Sequence, residues 1–144
     1  MKSKKWDVPA TDYSNTVLSV FENDTKEKIK SSVIKFGGSK KKAIDLGCGT
    51  GNFLPLLTDN FNETLACDYS KAMIKTAKLN NKKLKRLTFE TCNLEKDLPS
   101  NYPFDFGLCV NVILTQKIQK REKIWTNLNR IISKGGHLTM VLPS

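Results

Sequence analysis

The chain has 144 residues, 39% of them apolar, enough for one globular domain whose core needs neither disulfides nor a structural metal. Its formal net charge of +10 favours a polyanionic partner, but arginines are only Arg86, Arg121 and Arg130, so the charge reads as a lysine-rich solvated surface ahead of a nucleic-acid site, which stays open. No apolar run approaches the roughly 20 residues needed to cross a bilayer, and the start, Met1-Lys2-Ser3-Lys4-Lys5-Trp6, is unlike a signal peptide, so a cytoplasmic protein with no membrane partner is expected.

In chain order, Asp24-Thr25-Lys26-Glu27 resembles a capping box opening a helix with Ile29, Val33 and Ile34 on one face, stopped by Gly37-Gly38. Residues 1–42 then form an N-terminal helical or lid segment, and residues 43–144 the core. Ala43-Ile44-Asp45-Leu46 is a short strand leading into Gly47-Cys48-Gly49-Thr50-Gly51, followed by a helix over Asn52 to Leu57 with Pro55 early in it. Thr64 to Cys67 is a second strand ending at Asp68. Ser70 caps a helix through about Leu79, with Met73, Ile74 and Ala77 inward. Leu87 to Cys92 and Phe106 to Val110 are the third and fourth strands. A helix from about Gln119 to Ile132 buries Ile124, Leu128, Ile131 and Ile132, ends before Gly135-Gly136, and feeds a fifth strand, His137 to Leu142. Such alternation predicts right-handed βαβ crossovers, a parallel sheet with helices on both faces, and ligands at the carboxyl ends of the strands.

Two features carry chemistry. The G-x-G-x-G at Gly47, Gly49 and Gly51, with Asp45 two places ahead of it, lies at a strand-to-helix junction, where glycines turn tightly and admit a ligand. Asp68 ends the next strand, where a nucleotide-binding sheet places a carboxylate on ribose hydroxyls; a charge balancing the following helix dipole is the simpler alternative. Four separated cysteines (Cys48, Cys67, Cys92, Cys109) and one histidine, His137, give neither a zinc site nor a C-x-x-C pair, and read as buried free thiols. His137, far from the ligand-binding strand ends, reads as structural.

The segments Ala43 to Gly51, Cys67-Asp68-Tyr69-Ser70-Lys71-Ala72-Met73, Cys92-Asn93-Leu94 with Leu98-Pro99, Phe104-Asp105-Phe106 leading to Asn111-Val112, and Lys134 to Leu138 resemble, in order, the motifs of class I S-adenosylmethionine-dependent methyltransferases. The resemblance implies a three-layer α/β, Rossmann-like, doubly wound and mainly parallel sheet of order 3-2-1-4-5, without the family's last two strands. S-adenosyl-L-methionine would be the cofactor. Asp45 and the loop Gly47, Cys48, Gly49 and Gly51 would cradle its methionine moiety, Asp68 its ribose, Tyr69 or Met73 its adenine ring. Asn93, where the family often has aspartate, and the backbone at Leu94 would meet the adenine edge, and Asn111 would lie near the transferring methyl. Tyr13 and Trp6 stand where relatives often carry a lid, with packing against the first helix as the simpler role.

The implied activity is methyl transfer to an unidentified acceptor, a small molecule ahead of RNA, by proximity and orientation, with no catalytic residue assigned. Asn111 to Gln116 contains no histidine, aspartate or glutamate and no D/N-P-P-Y pattern. The rival readings are a methyltransferase-like binding or partner subunit, with a protein partner over the fifth-strand edge, and a nicotinamide oxidoreductase. Asn52 occupies the position where the oxidoreductase's G-x-G-x-x-G requires glycine, which disfavours it.

Overall fold

A computed structural model describes residues 27–110, 112, 113 and 115–142. In chain order the elements are α1 (Lys28–Phe36), β1 (Gly38–Leu46), α2 (Leu54–Asn60), β2 (Phe61–Asp68), α3 (Lys71–Asn80), β3 (Leu87–Thr91), β4 (Phe104–Val110), α4 (Ile118–Ile131) and β5 (Ile132–Val141). The five strands form one sheet in the order β3-β2-β1-β4-β5, and every neighbouring pair is parallel. This is the Rossmann-like order that the motifs imply.

Strand alternation divides the interior in two. Ala43, Ala66, Phe106 and Leu108 pack under Ile29 and Val33 of α1, Leu54 and Leu57 of α2, and Ile74 and Ala77 of α3. Ile44, Leu46, Leu65, Cys67 and Cys109 meet Ile124, Leu128 and Ile131 of α4 on the opposite face. Covered on both sides, the carboxyl half of β1 is fully buried, which explains its continuous apolar character. From β1 the chain winds outward through β2 to β3, then returns to place β4 on the other side of β1. The carboxyl ends of β1 and β4 are therefore where strand order reverses, the usual ligand crevice of such sheets.

Several boundaries differ from the sequence reading. The first helix starts at Lys28, after a left-handed Glu27 (φ 50°) that makes no side-chain cap, so Glu27 does not act as the third helical residue of a capping box; Asp24, Thr25 and Lys26 lie outside the described residues. Ile34 is 55% exposed because the buried stripe runs through Ile29, Val33 and the partly buried Phe36, and Ile34 sits about 100° round from Val33. Lys40 to Lys42 extend β1 rather than precede it: the Lys42 amide donates to Asp105 Oδ2 at 2.8 Å, which ties the lysine run to the start of β4. The helix after the glycine loop is shifted to Leu54–Asn60, with Pro55 in its first turn. Gly135-Gly136 does not separate helix from strand. β5 begins at Ile132, directly after α4, and absorbs the glycines as an irregularity between the pairs Phe104–Ile132 and Phe106–His137, with Gly135 at φ 82°.

All four cysteines are free and buried, as expected. The His137 ring lies 3.8 Å from that of Phe36 of α1, tilted by 48°, away from the carboxyl ends of the strands, in keeping with a structural role. Among the described residues no helix is long and apolar enough to cross a membrane, and β5 pairs only with β4.

Candidate functional site

The turn after β1 is built from backbone hydrogen bonds before any side chain enters. Gly47 and Cys48 N–H both donate to the Cys67 carbonyl of β2, at 2.8 and 2.9 Å, and the Gly51 N–H donates back to the Cys48 carbonyl at 3.0 Å. Gly47, Gly49 and Gly51 are all left-handed. Two of them are also contact points. A side chain at Gly47 would overlap Val112 from the loop after β4, and one at Gly51 would meet Asn81 Nδ2 at 2.5 Å. Gly49 differs: among the described residues nothing lies within 4 Å of where its Cβ would be, so they leave open space at the centre of the loop.

Two carboxylates converge on this turn. Asp68 Oδ2 accepts from the Gly49 N–H at 2.9 Å and Asp68 Oδ1 from the Ser70 N–H at 2.8 Å, so one side chain joins the glycine loop to the start of α3. Ser70 is the α3 N-cap, as its sequence position suggests, accepting from Met73 N–H at 3.2 Å. Asp45 comes up from β1 beneath the loop. It is 2% exposed, and among the described residues its Oδ2 has no hydrogen-bond partner. Burial, and then the nearby Asp68 charge, push the Asp45 carboxyl up to about 7. Burial first, and then the Asp45 and Asp68 charges, hold the Cys48 thiol well above its usual range, and burial with the Asp45 charge pushes Cys109 up to about 12. Both stay protonated, so neither supplies a thiolate nucleophile at neutral pH.

The remaining candidates lie along the same strand ends. Met73 is 2% exposed inside the α3 core, whereas Tyr69 is only partly buried. Asn93 follows β3; its Oδ1 accepts from the Glu95 N–H at 3.0 Å and its carbonyl from Lys96 and Asp97, which leaves the side-chain amide N–H groups without a role in that turn. Leu94 is buried, and Asn127 of α4 holds its carbonyl at 2.7 Å. Asn111, Tyr13 and Trp6 lie outside the described residues.

Residues that sequence reading passed over complete the frame. Asn81 Nδ2 donates to the Gly51 carbonyl at 3.3 Å and to the Ala77 carbonyl at 2.9 Å, and Asn80 Nδ2 to the Thr50 carbonyl at 3.1 Å. The far end of α3 thus grips the loop that Asp68 grips from the near end. An asparagine pair closing a helix signals a C-terminus, but nothing in its spacing points 30 residues back. Asn127 carries no sequence signal either, and Val112, though it closes one of the motif segments, carries none for its place against Gly47.

Comparison with known proteins bears on this arrangement. No curated protein matches the sequence. DhpI in a complex with SAH superposes with a TM-score of 0.81 at 17% identity, over 96% of this chain and 65% of its own. The N-methyltransferase NodS from Bradyrhizobium japonicum WM9, in complex with S-adenosyl-L-homocysteine, gives 0.74 at 13%, over 96% and 71%. A complex containing the Haloferax volcanii Trm112 methyltransferase activator gives 0.75 at 19%, over 96% and 60%. At these identities the likeness is one of fold, and the chain spans somewhat under two thirds of the length of DhpI. A family model described as a methyltransferase domain matches residues 38–144, from the first residue of β1 through all five strands, and the chain belongs to that methyltransferase family.

Proposed function

We propose that this chain binds S-adenosyl-L-methionine in the glycine turn and transfers its methyl group to a small-molecule acceptor. The observation that carries the reading is the buried Asp45 oxygen, unpartnered beneath a loop with open space at Gly49, beside a second carboxylate on the same loop. A buried acceptor without a donor is costly, and the amino and sulfonium charges of this cofactor would offset that cost. Asp45 with Gly47, Cys48, Gly49 and Gly51 would hold the methionine moiety. Asp68, whose carboxylate already joins the glycine loop to the start of α3, would take the ribose hydroxyls. Tyr69 has the free surface to cover the adenine, whereas Met73 is enclosed, and Asn93 with the Leu94 backbone would meet the adenine edge. Asn111 would stand near the methyl group.

When bound, the cofactor supplies an electrophilic methyl on a sulfonium. The chain's own task is then to bind, orient and exclude water, which is catalysis by positioning. The family membership and the SAH-bound neighbours support the reading. A second reading, a binding module that acts with a partner subunit, is favoured by the absence of any acid or base in Asn111 to Gln116 and by the neighbour that assembles with an activator.

Calorimetric titration with S-adenosylmethionine, its demethylated product and NADH tests both. Asp68→Ala should weaken cofactor binding ten- to hundred-fold, about 1.5 to 3 kcal/mol, by removing charge-assisted hydrogen bonds. Unchanged affinity in a folded variant, or preference for NADH, would overturn the assignment. Binding without turnover across a panel of acceptors would select the second reading.

A further inference from the structure

The positive charge of this chain is not evenly spread. From Tyr69 to Phe89 there are seven cations (Lys71, Lys75, Lys78, Lys82, Lys83, Lys85 and Arg86) and no carboxylate, so 21 residues carry seven of the ten net charges. A compositional taste for lysine would not by itself exclude Asp and Glu from one stretch.

The fold turns that stretch into a surface. Met73, Ile74 and Ala77 fix α3 against the sheet, and Lys71, Lys75 and Lys78 then fall within about 60° of one another on its outer side. Lys82, Lys83, Lys85 and Arg86 follow in the segment between α3 and β3, the sheet's edge strand, and all seven side chains are exposed. None takes part in an ion pair of the described residues, where the only pairs are Lys30–Glu27 and Lys120–Glu95. The flanking carboxylates are committed elsewhere: Asp68 to Gly49 and Ser70, Glu90 to the Ser100 N–H. Arg86 is held in place by its carbonyl accepting from Thr64 N–H at 3.0 Å and its guanidinium donating to Asn62 Oδ1 at 3.2 Å, and Lys78 lies 5.9 Å from the centre of the Phe89 ring.

We infer that α3 and the turn after it bind the phosphodiester backbone of a nucleic-acid strand. An extended row of unneutralised ammonium groups matches a regularly spaced polyanion, and lysines act as point charges that grip phosphate without reading bases. Binding here is electrostatic and sequence-tolerant. One end of the row, Lys71, adjoins Ser70 and Asp68, so a strand lying along it reaches the mouth of the glycine-loop site. The inference concerns a partner and stands whether or not the strand also carries the methyl acceptor.

The test is fluorescence polarisation of the whole chain with a labelled 20-nucleotide uridine oligomer, its DNA counterpart, and vesicles containing anionic phospholipid, from 50 to 300 mM salt. With about five phosphate contacts, log affinity should fall against log salt with a slope of about −3.5. The variant Lys75→Gln/Lys78→Gln/Lys82→Gln/Lys83→Gln should bind the oligomer at least tenfold more weakly with a flatter slope. The charge-matched control Lys40→Gln/Lys117→Gln/Lys123→Gln/Lys134→Gln should lose less than threefold. If the first variant fails to fold, photocrosslinks of the unaltered chain to the uridine oligomer should fall within residues 71–86. RNA binding tighter than DNA identifies the source of the backbone, and equal binding leaves the proposal intact for either. No binding at 50 mM salt, equal losses in both variants, crosslinks elsewhere, or binding to vesicles alone would overturn it.

Discussion

At the scale of single residues, Asp45 is placed against its own stability. Its carboxyl rises from an ordinary 3.8 to about 7 on folding, so the folded chain holds a proton that the unfolded chain releases. The linkage has a definite sign: below pH 4 there is no penalty, stability falls as pH rises from 4 toward 7, and above 7 the loss levels off at about 4 kcal/mol. Asp45→Asn should therefore melt with the parent chain at pH 4 and roughly 10–15 °C above it at pH 8, while losing cofactor affinity. Identical melting temperatures at pH 8, by circular dichroism, would show that Asp45 is not held under strain. Asp45, Asp68 and the three glycines were all legible in the sequence, because a glycine spacing before a helix and an acid at a strand end are local patterns. The contacts of Asn81 and Val112 with the glycine loop were not, since only the fold brings those residues near it.

At the scale of elements, α3 does two jobs. Its first residues are tied through Ser70 and Asp68 to one side of the glycine loop, and its last through Asn80 and Asn81 to the other. The helix is thus a strut across the turn, and the two asparagines should differ in weight. Asn81 is buried and makes two bonds, so Asn81→Ala should cost about 1–3 kcal/mol in urea unfolding, whereas the exposed Asn80→Ala should cost about 1 kcal/mol or less. Equal costs would show that burial at Asn81 does not matter. The existence and type of every described element could be read from helical periodicity, short apolar runs and the caps and glycines between them. Boundaries were harder wherever hydrogen bonding overrode composition: Lys40 to Lys42 look like loop until the Lys42 amide finds Asp105, and Gly135-Gly136 look like a helix stop until β4 draws them into β5.

At the scale of the whole molecule, strand order separates the making of the site from the making of its parts. β1 is central, yet its second neighbour is β4, which ends 42 residues after β2 does. At about 5–20 residues per second of synthesis, Ala43-Ile44-Asp45-Leu46 stands as a bare strand edge for a few seconds, in reach of other chains. During that interval Asp45 is in water and carries its full charge, and a charge in the middle of an open strand repels pairing with a copy of itself. The carboxylate that burdens the finished fold thus guards the unfinished one. A chain ending at residue 101 should accordingly aggregate faster with Asp45→Asn than without it, by light scattering at neutral pH, and the ranking should disappear near pH 3, where the unshielded acid is itself neutral.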